Sequence, residues 1–247
     1  MIDYMDIYLK RVNRYGEDYQ TRTQGRREED FQYLLQKSVY RVEFYYANEM
    51  HPGVFTPYSQ NETKTLHYLL TNRNLDISAG TVLELPEKTK SNDVFMEQPM
   101  QKWLVYYKEE IVASGYNKYI MLRLTHEITW TGRDGVERTI WAYLYGQEDN
   151  MLKDELKSRS RTGTLYTENL KSSFFITTTN ENINKDDYFV VRRGTPLQKG
   201  YVVTGYDFDS TLGIEYVTVD PVYLRNEDPA PIDDGSDDFY WLRGGDN

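Results

Sequence analysis

Three histidines, His51, His67 and His126, are the only imidazoles in this chain, and it has no cysteine. Acid–base or metal chemistry therefore falls to these three and to the carboxylates. Their scatter gives none of them a partner at metal-ligand spacing, which predicts no metal centre and no cofactor. His126 falls on the apolar face of the run Tyr119 to Trp130, where a hydrogen-bonded core histidine is expected rather than a catalytic one. The absence of cysteine excludes disulfides, thiol nucleophiles and thiolate metal sites. Glu109-Glu110 and Asp186-Asp187 are adjacent carboxylates of the kind a glycosidase sets across a cleft, but sequence neighbours on a strand point to opposite faces and do not converge. Trp103, Trp141 and Tyr201 offer flat rings on which a sugar could stack, which keeps a monomeric carbohydrate-binding module as an alternative.

One segment matches an enzyme motif in letters. Asp207-Phe208-Asp209-Ser210-Thr211-Leu212, after the apolar Val202-Val203, resembles the D-x-D-x-T loop of haloacid-dehalogenase-type phosphatases. That family implies a nucleophilic first aspartate, an acid/base second aspartate and a nearby Mg²⁺. It also requires a parallel doubly wound sheet with this loop near its start. Here only 36 residues follow Thr211, and the flanks read as an antiparallel hairpin, so turn-forming residues explain the match. No nucleophile elbow, phosphate-binding glycine loop, dinucleotide fingerprint or zinc-protease helix occurs. The expectation is a protein that is not an enzyme.

The net charge of −10 is unevenly placed. From Asn226 onward there are seven acids (Glu227, Asp228, Asp233, Asp234, Asp237, Asp238, Asp246) and one base, Arg243. The rest of the chain is mildly acidic and offers no net positive field to neutralise phosphates. The amino terminus lacks a basic segment followed by an apolar one, and no apolar run reaches membrane-spanning length, so neither an export signal nor a membrane partner is expected. Tyrosine is abundant, at 23 residues. It suits strands, and it also suits contact surfaces because it presents a wide apolar face with a polar tip.

The middle of the chain is written twice. Leu70 to Ile77, leading through Gly80 into Val82-Leu83-Glu84-Leu85, matches Ile176 to Ile183, leading through Asp186-Asp187 into Tyr188-Phe189-Val190-Val191. Trp103 to Tyr106 and Tyr119 to Leu122 follow the first copy. Tyr201 to Thr204 and Ile214 to Val217 follow the second. A unit of that length is a small domain rather than a solenoid repeat. The predicted fold is mainly β: two tandem small antiparallel β-barrel or β-sandwich modules with an N-terminal helical arm.

The expected boundaries are a helical or extended arm over 1–38, a first module over 39–130, a second over 131–225 and an acidic aromatic tail over 226–247. In the arm, Ile2, Met5, Leu9 and Val12 share a helical face, Gly16 and a polar run to Gly25 interrupt, and Arg26 to Gln36 resumes with Phe31, Leu34 and Leu35. Val42, Phe44 and Tyr46 alternate as a half-buried strand. A long strand over Tyr119 to Trp130 turns at Thr131-Gly132-Arg133-Asp134-Gly135 and returns as Val136 to Tyr145, a hairpin expected to join the copies. Two excursions are expected: a long loop at 147–171 with a short helix and a tip near Ser158 to Arg161, and a flexible stretch from Pro86 to Pro99. In the tail, Phe239-Tyr240-Trp241-Leu242 would be an exposed apolar patch on a free end, so docking on a surface of this chain or another is expected.

The run Ile183 to Val190, then Gly200-Tyr201-Val202-Val203, then Ile214 to Val219, resembles the head-closure proteins of tailed bacteriophages, also called stoppers or head-tail connectors. The opening Asp6 to Gly16 is similar to openings of neck proteins from phages of Gram-positive hosts. The simplest members have about half this length and one barrel, whereas this chain duplicates the module and adds an arm and a tail. The resemblance implies a non-enzymatic virion structural protein of the neck, made in the bacterial host cytoplasm. It would form an oligomeric ring, hexameric or dodecameric, joining a portal or adaptor protein to a tail terminator or tail tube protein. Packaged DNA would pass through without sequence-specific binding, which an acidic wall suits. The expected protein contacts are Tyr4, Tyr8, Lys153, Arg159, Arg161, Phe239, Tyr240, Trp241 and Leu242. A tail-completion or capsid-surface virion protein is the alternative within the same class.

Overall fold

Among the described residues, the period-two runs fold into twelve strands that follow one helix. The computed structural model describes residue 14 and residues 18–58, 65–91, 94–109, 115–145, 173–179, 182–209 and 213–222. Helix α1 is Tyr19–Lys37. Strands β1 (Arg41–Tyr46), β2 (Glu49–Pro57), β3 (Leu66–Asn72), β4 (Val82–Ser91), β5 (Val94–Glu109) and β6 (Tyr116–Arg123) form one antiparallel sheet. Strands β7 (His126–Thr131), β8 (Glu137–Tyr145), β9 (Phe174–Thr178), β10 (Tyr188–Val191), β11 (Lys199–Asp209) and β12 (Ile214–Val222) form a second, closed barrel. The molecule is therefore mainly β, with two tandem six-stranded antiparallel barrel-like modules behind an N-terminal helix.

The two modules share one topology. The first runs β1-β2-β3-β6-β5-β4, and the second runs β7-β8-β9-β12-β11-β10, which is the same order with every strand advanced by six. The correspondence reaches single hydrogen bonds. Gly80 N–H donates to Val105 O and Val105 N–H donates to Thr81 O. In the second module Asp186 N–H donates to Val203 O and Val203 N–H donates to Asp187 O. Gly80 and Asp186 both adopt left-handed backbone, at φ 83 and 74. Ile77 and Ile183 are both buried as plugs in the cores of their own modules. The modules differ in closure. β7 pairs with β10 through Ile128 and Thr129, whereas β1 and β4 lie side by side without a ladder among the described residues.

Each barrel is filled by large side chains. Phe44, Phe55, Trp103 and Tyr119 occupy the first, and Trp130, Phe175, Phe189 and Tyr201 the second. A third apolar layer lies between the barrels, where Leu66, Leu104, Ile120 and Leu122 meet Tyr143, Phe174, Ile176 and Ile214, with Leu124 at the joint. Tyr106 and Tyr216 place their hydroxyls 3.0 Å apart within that layer. Strands β5, β6 and β9 are thus covered on both faces. This is why Trp103 to Tyr106 and Tyr119 to Leu122 are apolar at every position instead of every second one.

Several expectations need correction. The run Tyr119 to Trp130 is two strands, because Leu124 and Thr125 carry the chain across the inter-barrel layer. Thr125 N–H donates to Ala142 O there, and Leu124 N–H to Lys102 O. The change of module falls at this joint, ahead of the Thr131 to Gly135 turn, which lies inside the second barrel with Gly135 at φ 72. Of the stretch from Pro86 to Pro99, the described residues 86–91 and 94–99 belong to strands β4 and β5, which pair with each other; β4 is an end strand of its sheet, and Pro86 stands beside a register shift, where a missing N–H is tolerated. The polar run before Gly25 is helical, because Asp18 caps α1 by accepting from Thr21 N–H at 2.8 Å. The helix packs on its own module, with Phe31 and Leu35 against Val54. Residues 1–13, the 147–171 excursion and the 226–247 tail lie outside the described residues.

A Cβ on Gly80 would stand 2.3 Å from Gly213 O, so these two glycines bring the backbones of the two modules together. Gly80→Ala should cost more than about 2 kcal/mol, because left-handed strain adds to a clash that backbone cannot evade. Gly135→Ala, with nothing within 4 Å of its Cβ, should cost about 1 kcal/mol. Urea unfolding midpoints compare them, and equal losses would refute the close-approach account.

Candidate functional site

The three histidines occupy three separate environments. His51 places Nε2 3.1 Å from Tyr46 O beside the β1–β2 turn. His67 is buried inside the first barrel, stacked on Phe55 at 4.7 Å and edge-on to Trp103 at 4.6 Å. Burial first, and then the positive charge of Arg123, hold its pKa down to about 4, partly opposed by a backbone hydrogen bond at Leu66. His126 lies at the rim of the second barrel, with Nδ1 2.7 Å from Thr125 Oγ1 and its ring edge-on to Phe175. Its pKa is lowered by burial first and then by the charges of Arg192 and Lys199. Among the described residues no three His, Asp or Glu side chains converge as metal ligands.

Asp186 and Asp187 lie in the turn ahead of β10 and sit in different environments. Asp187 is buried and accepts from Asn184 N–H at 2.8 Å, with its pKa raised by desolvation, while Asp186 is exposed. Glu109 is taken by Lys118 at 2.8 Å, and Glu110 lies outside the described residues. Asp207 and Asp209 lie within β11, paired with Tyr216 and Ile214 in an antiparallel hairpin. A phosphatase loop at the end of a parallel strand is a different setting.

The sugar-stacking set comes apart. Trp103 and Tyr201 are core residues at 0% and 7% exposure. Trp141 stays partly exposed, with Lys102 Nζ 5.3 Å from its ring centre, while Leu144, three residues on, packs on the second core. A second partly exposed aromatic site, missed in the sequence, stacks Tyr58 on Tyr68 at 4.7 Å, with Lys118 Nζ 3.6 Å from the Tyr68 ring centre. Its members come from β6 and from both sides of the β2–β3 connection, so no spacing marks them in advance.

Two further surfaces expose large apolar or charged groups. Tyr45 and Met50 face each other across β1 and β2 at 61% and 59% exposure, beside a tight turn in which Ala47 and Asn48 both have positive φ. At the β10–β11 end of the second barrel, Arg192, Arg193, Leu197 and Lys199 are exposed. That turn is braced by Thr195 Oγ1 donating to Arg192 O and by Gly194 N–H donating to the Gln198 side-chain oxygen. The sequence-predicted contacts Tyr4, Tyr8, Lys153, Arg159, Arg161, Phe239, Tyr240, Trp241 and Leu242 all lie outside the described residues.

No family model matches the chain, and no curated protein matches it. Among solved structures, apo MrkH of K. pneumonia aligns at 10% identity and a TM-score of 0.23, covering 82% of this chain and 85% of that one. The MrkH–c-di-GMP complex aligns at 8% and 0.24, covering 82% and 87%. The PlzA protein of Borreliella burgdorferi, in complex with c-di-GMP, aligns at 8% and 0.23, covering 79% and 92%. These scores are too low to identify a common fold or a common ligand.

His67 generates a pH prediction. Its folded pKa, near 4, is below the ordinary 6.5, so the unfolded chain binds more protons between those values. The stability it contributes is complete above about pH 6.5 and is lost as pH falls toward 4, with about 2 kcal/mol gone between pH 7.5 and pH 5. His67→Phe should remove that part of the acid sensitivity. Urea midpoints at the two pH values test it, and an unchanged slope in the variant would sink the assignment.

Proposed function

We propose that this protein is a non-enzymatic virion structural protein of the bacteriophage neck, a ring-forming subunit that closes the head and joins a portal or adaptor to the tail around the DNA channel. The observation that supports this reading is the duplicated barrel. One small antiparallel module recurs with its strand order and its left-handed turn intact, and both interiors are filled by aromatic side chains. Within the second module, Ile183 to Val190, Gly200 to Val203 and Ile214 to Val219, which reach β10, β11 and β12, are the segments whose sequence resembles the one-barrel stoppers.

A ring subunit between head and tail needs stiffness and several separate contact surfaces. The apolar layer between the modules supplies the first. Tyr45 with Met50, Trp141 with Lys102 and the Tyr58–Tyr68 pair supply exposed aromatic surface of the second kind. A tail-completion or capsid-surface role uses the same properties and is the second reading. A monomeric carbohydrate-binding module is the third, with Trp141 as its remaining stacking ring from the sequence-predicted set.

Immuno-electron microscopy of lysates from the source culture, with antibody against the purified chain, tests the proposal. Label at the junction of capsid and tail is the expected result. Label on tail tips or capsid faces moves the protein to the second reading. Label on no particle, together with glycan binding by the monomer, would overturn the virion role.

A further inference from the structure

The course of the last strand brings a basic rim and the start of an acidic segment together. In β11, Lys199 is opposite Val191 of β10, and Gly200 is opposite both Val190 of β10 and Val222 of β12. Val222 ends β12, so the chain leaves the second barrel at the rim that carries Lys199 and, one residue past Val191, Arg192. Arg192 and Lys199 are exposed, and no carboxylate among the described residues is within ion-pair distance of either. Glu127 on β7 and Asp220 on β12 are acidic groups of the neighbouring strands, and neither forms a salt bridge with them. Arg193 is matched by Glu137. The braced turn between them exposes Leu197 at 63%, an apolar spot beside the charges.

We propose that this rim is the docking site of the chain's own acidic aromatic segment, residues 226–247, bound in cis, with its carboxylates on Arg192 and Lys199 and its Phe239 to Leu242 cluster on the apolar surface beside them. Complementarity is strong: seven carboxylates and one arginine follow Asn226. Reach is sufficient, since the first of these, Glu227, is five residues beyond Val222 and an extended residue spans up to about 3.5 Å. Tethering places the segment at an effective concentration in the millimolar range, so even weak, salt-screened contacts are populated. Covering the rim would also remove a cationic patch able to hold DNA phosphates. The inference rests on strand register and charge, and it stands whether or not the neck reading does.

Zero-length carbodiimide cross-linking of the full chain, followed by peptide mass spectrometry, tests it. At low salt the expected products join Lys199 to tail carboxylates within the monomer band. They should fall by at least about tenfold near 0.5 M salt, where charges are screened within a few ångströms. Arg192→Asn removes a charge while suiting the left-handed backbone at φ 55, and should lower the yield several-fold with the unfolding midpoint unchanged. Asp233→Lys with Asp234→Lys, in the segment itself, should do the same. Tail carboxylates joined only to other lysines, or no tail cross-links, would overturn the site. Lys199 products confined to a dimer band would overturn docking in cis in favour of a second copy.

Discussion

The apolar layer between the two barrels is the constraint on which the rest of this structure depends. A six-stranded barrel of this size needs only its inner face to be apolar. Here β5, β6, β9 and β12 also bury outward-facing side chains, Leu104, Tyr106, Ile120, Leu122, Phe174, Ile176, Ile214 and Tyr216. At about 1.5–3 kcal/mol for each large side chain removed from water, such a layer outweighs the cost of fixing one barrel against the other. Polar elements then adjust to it. Tyr106 and Tyr216 meet hydroxyl to hydroxyl inside it, and Gly80 and Gly213 lose their side chains so that two turns can touch at its margin.

That margin also records how the two copies have diverged. Gly80 and Asp186 hold equivalent positions, share positive φ and anchor the same pair of backbone hydrogen bonds. Left-handed backbone alone does not dictate glycine, since aspartate serves in the second module. Contact with the other barrel does, because only the first-module turn is pressed against backbone. Closure diverges too. The second barrel is sealed by β7 on β10, while the first brings β1 and β4 together through Val42, Phe44, Leu83 and Leu85, with no ladder between them among the described residues.

Much of the fold was legible because strand periodicity and burial leave direct marks on sequence. Val42 and Phe44 alternate and are buried, the Asp134-Gly135 turn lies where its letters put it, and the internal repeat matches at Gly80 and Asp186 down to hydrogen bonds. The failures have one physical source. A residue that is apolar because it faces a barrel interior looks the same as one that is apolar because it faces the neighbouring barrel. A single strand over Tyr119 to Trp130 would set Ile120, Leu122 and Leu124 on one face with Ile128 and Trp130, though the first three belong to the inter-barrel layer and the last two to the second core. The same ambiguity made Trp103 and Tyr201 look like contact rings, when both fill cores. Gly25 looked like a break because glycine costs a helix about 1 kcal/mol, a sum that the Asp18 cap and the packing of Phe31 and Leu35 offset.

The candidate surfaces were less legible than the fold, and chemistry explains why. A catalytic constellation needs particular residue types at particular distances, so its motif survives in the letters. A contact surface needs only area, shape and charge balance, drawn from whichever strands happen to adjoin. Tyr45 and Met50 meet through pairing across a hairpin, Tyr58 and Tyr68 across the β2–β3 connection, and Lys102 and Trp141 from different barrels. Each pair is set by register or by the inter-barrel layer, so it becomes visible only after the ladders are known. The same holds for the basic rim: Arg192 and Lys199 are separated by a turn, and nothing in their spacing connects them to the residues after Val222 until β10, β11 and β12 are laid side by side. In a protein of this kind the strand register determines which surfaces exist, and the inter-barrel layer keeps that register in place.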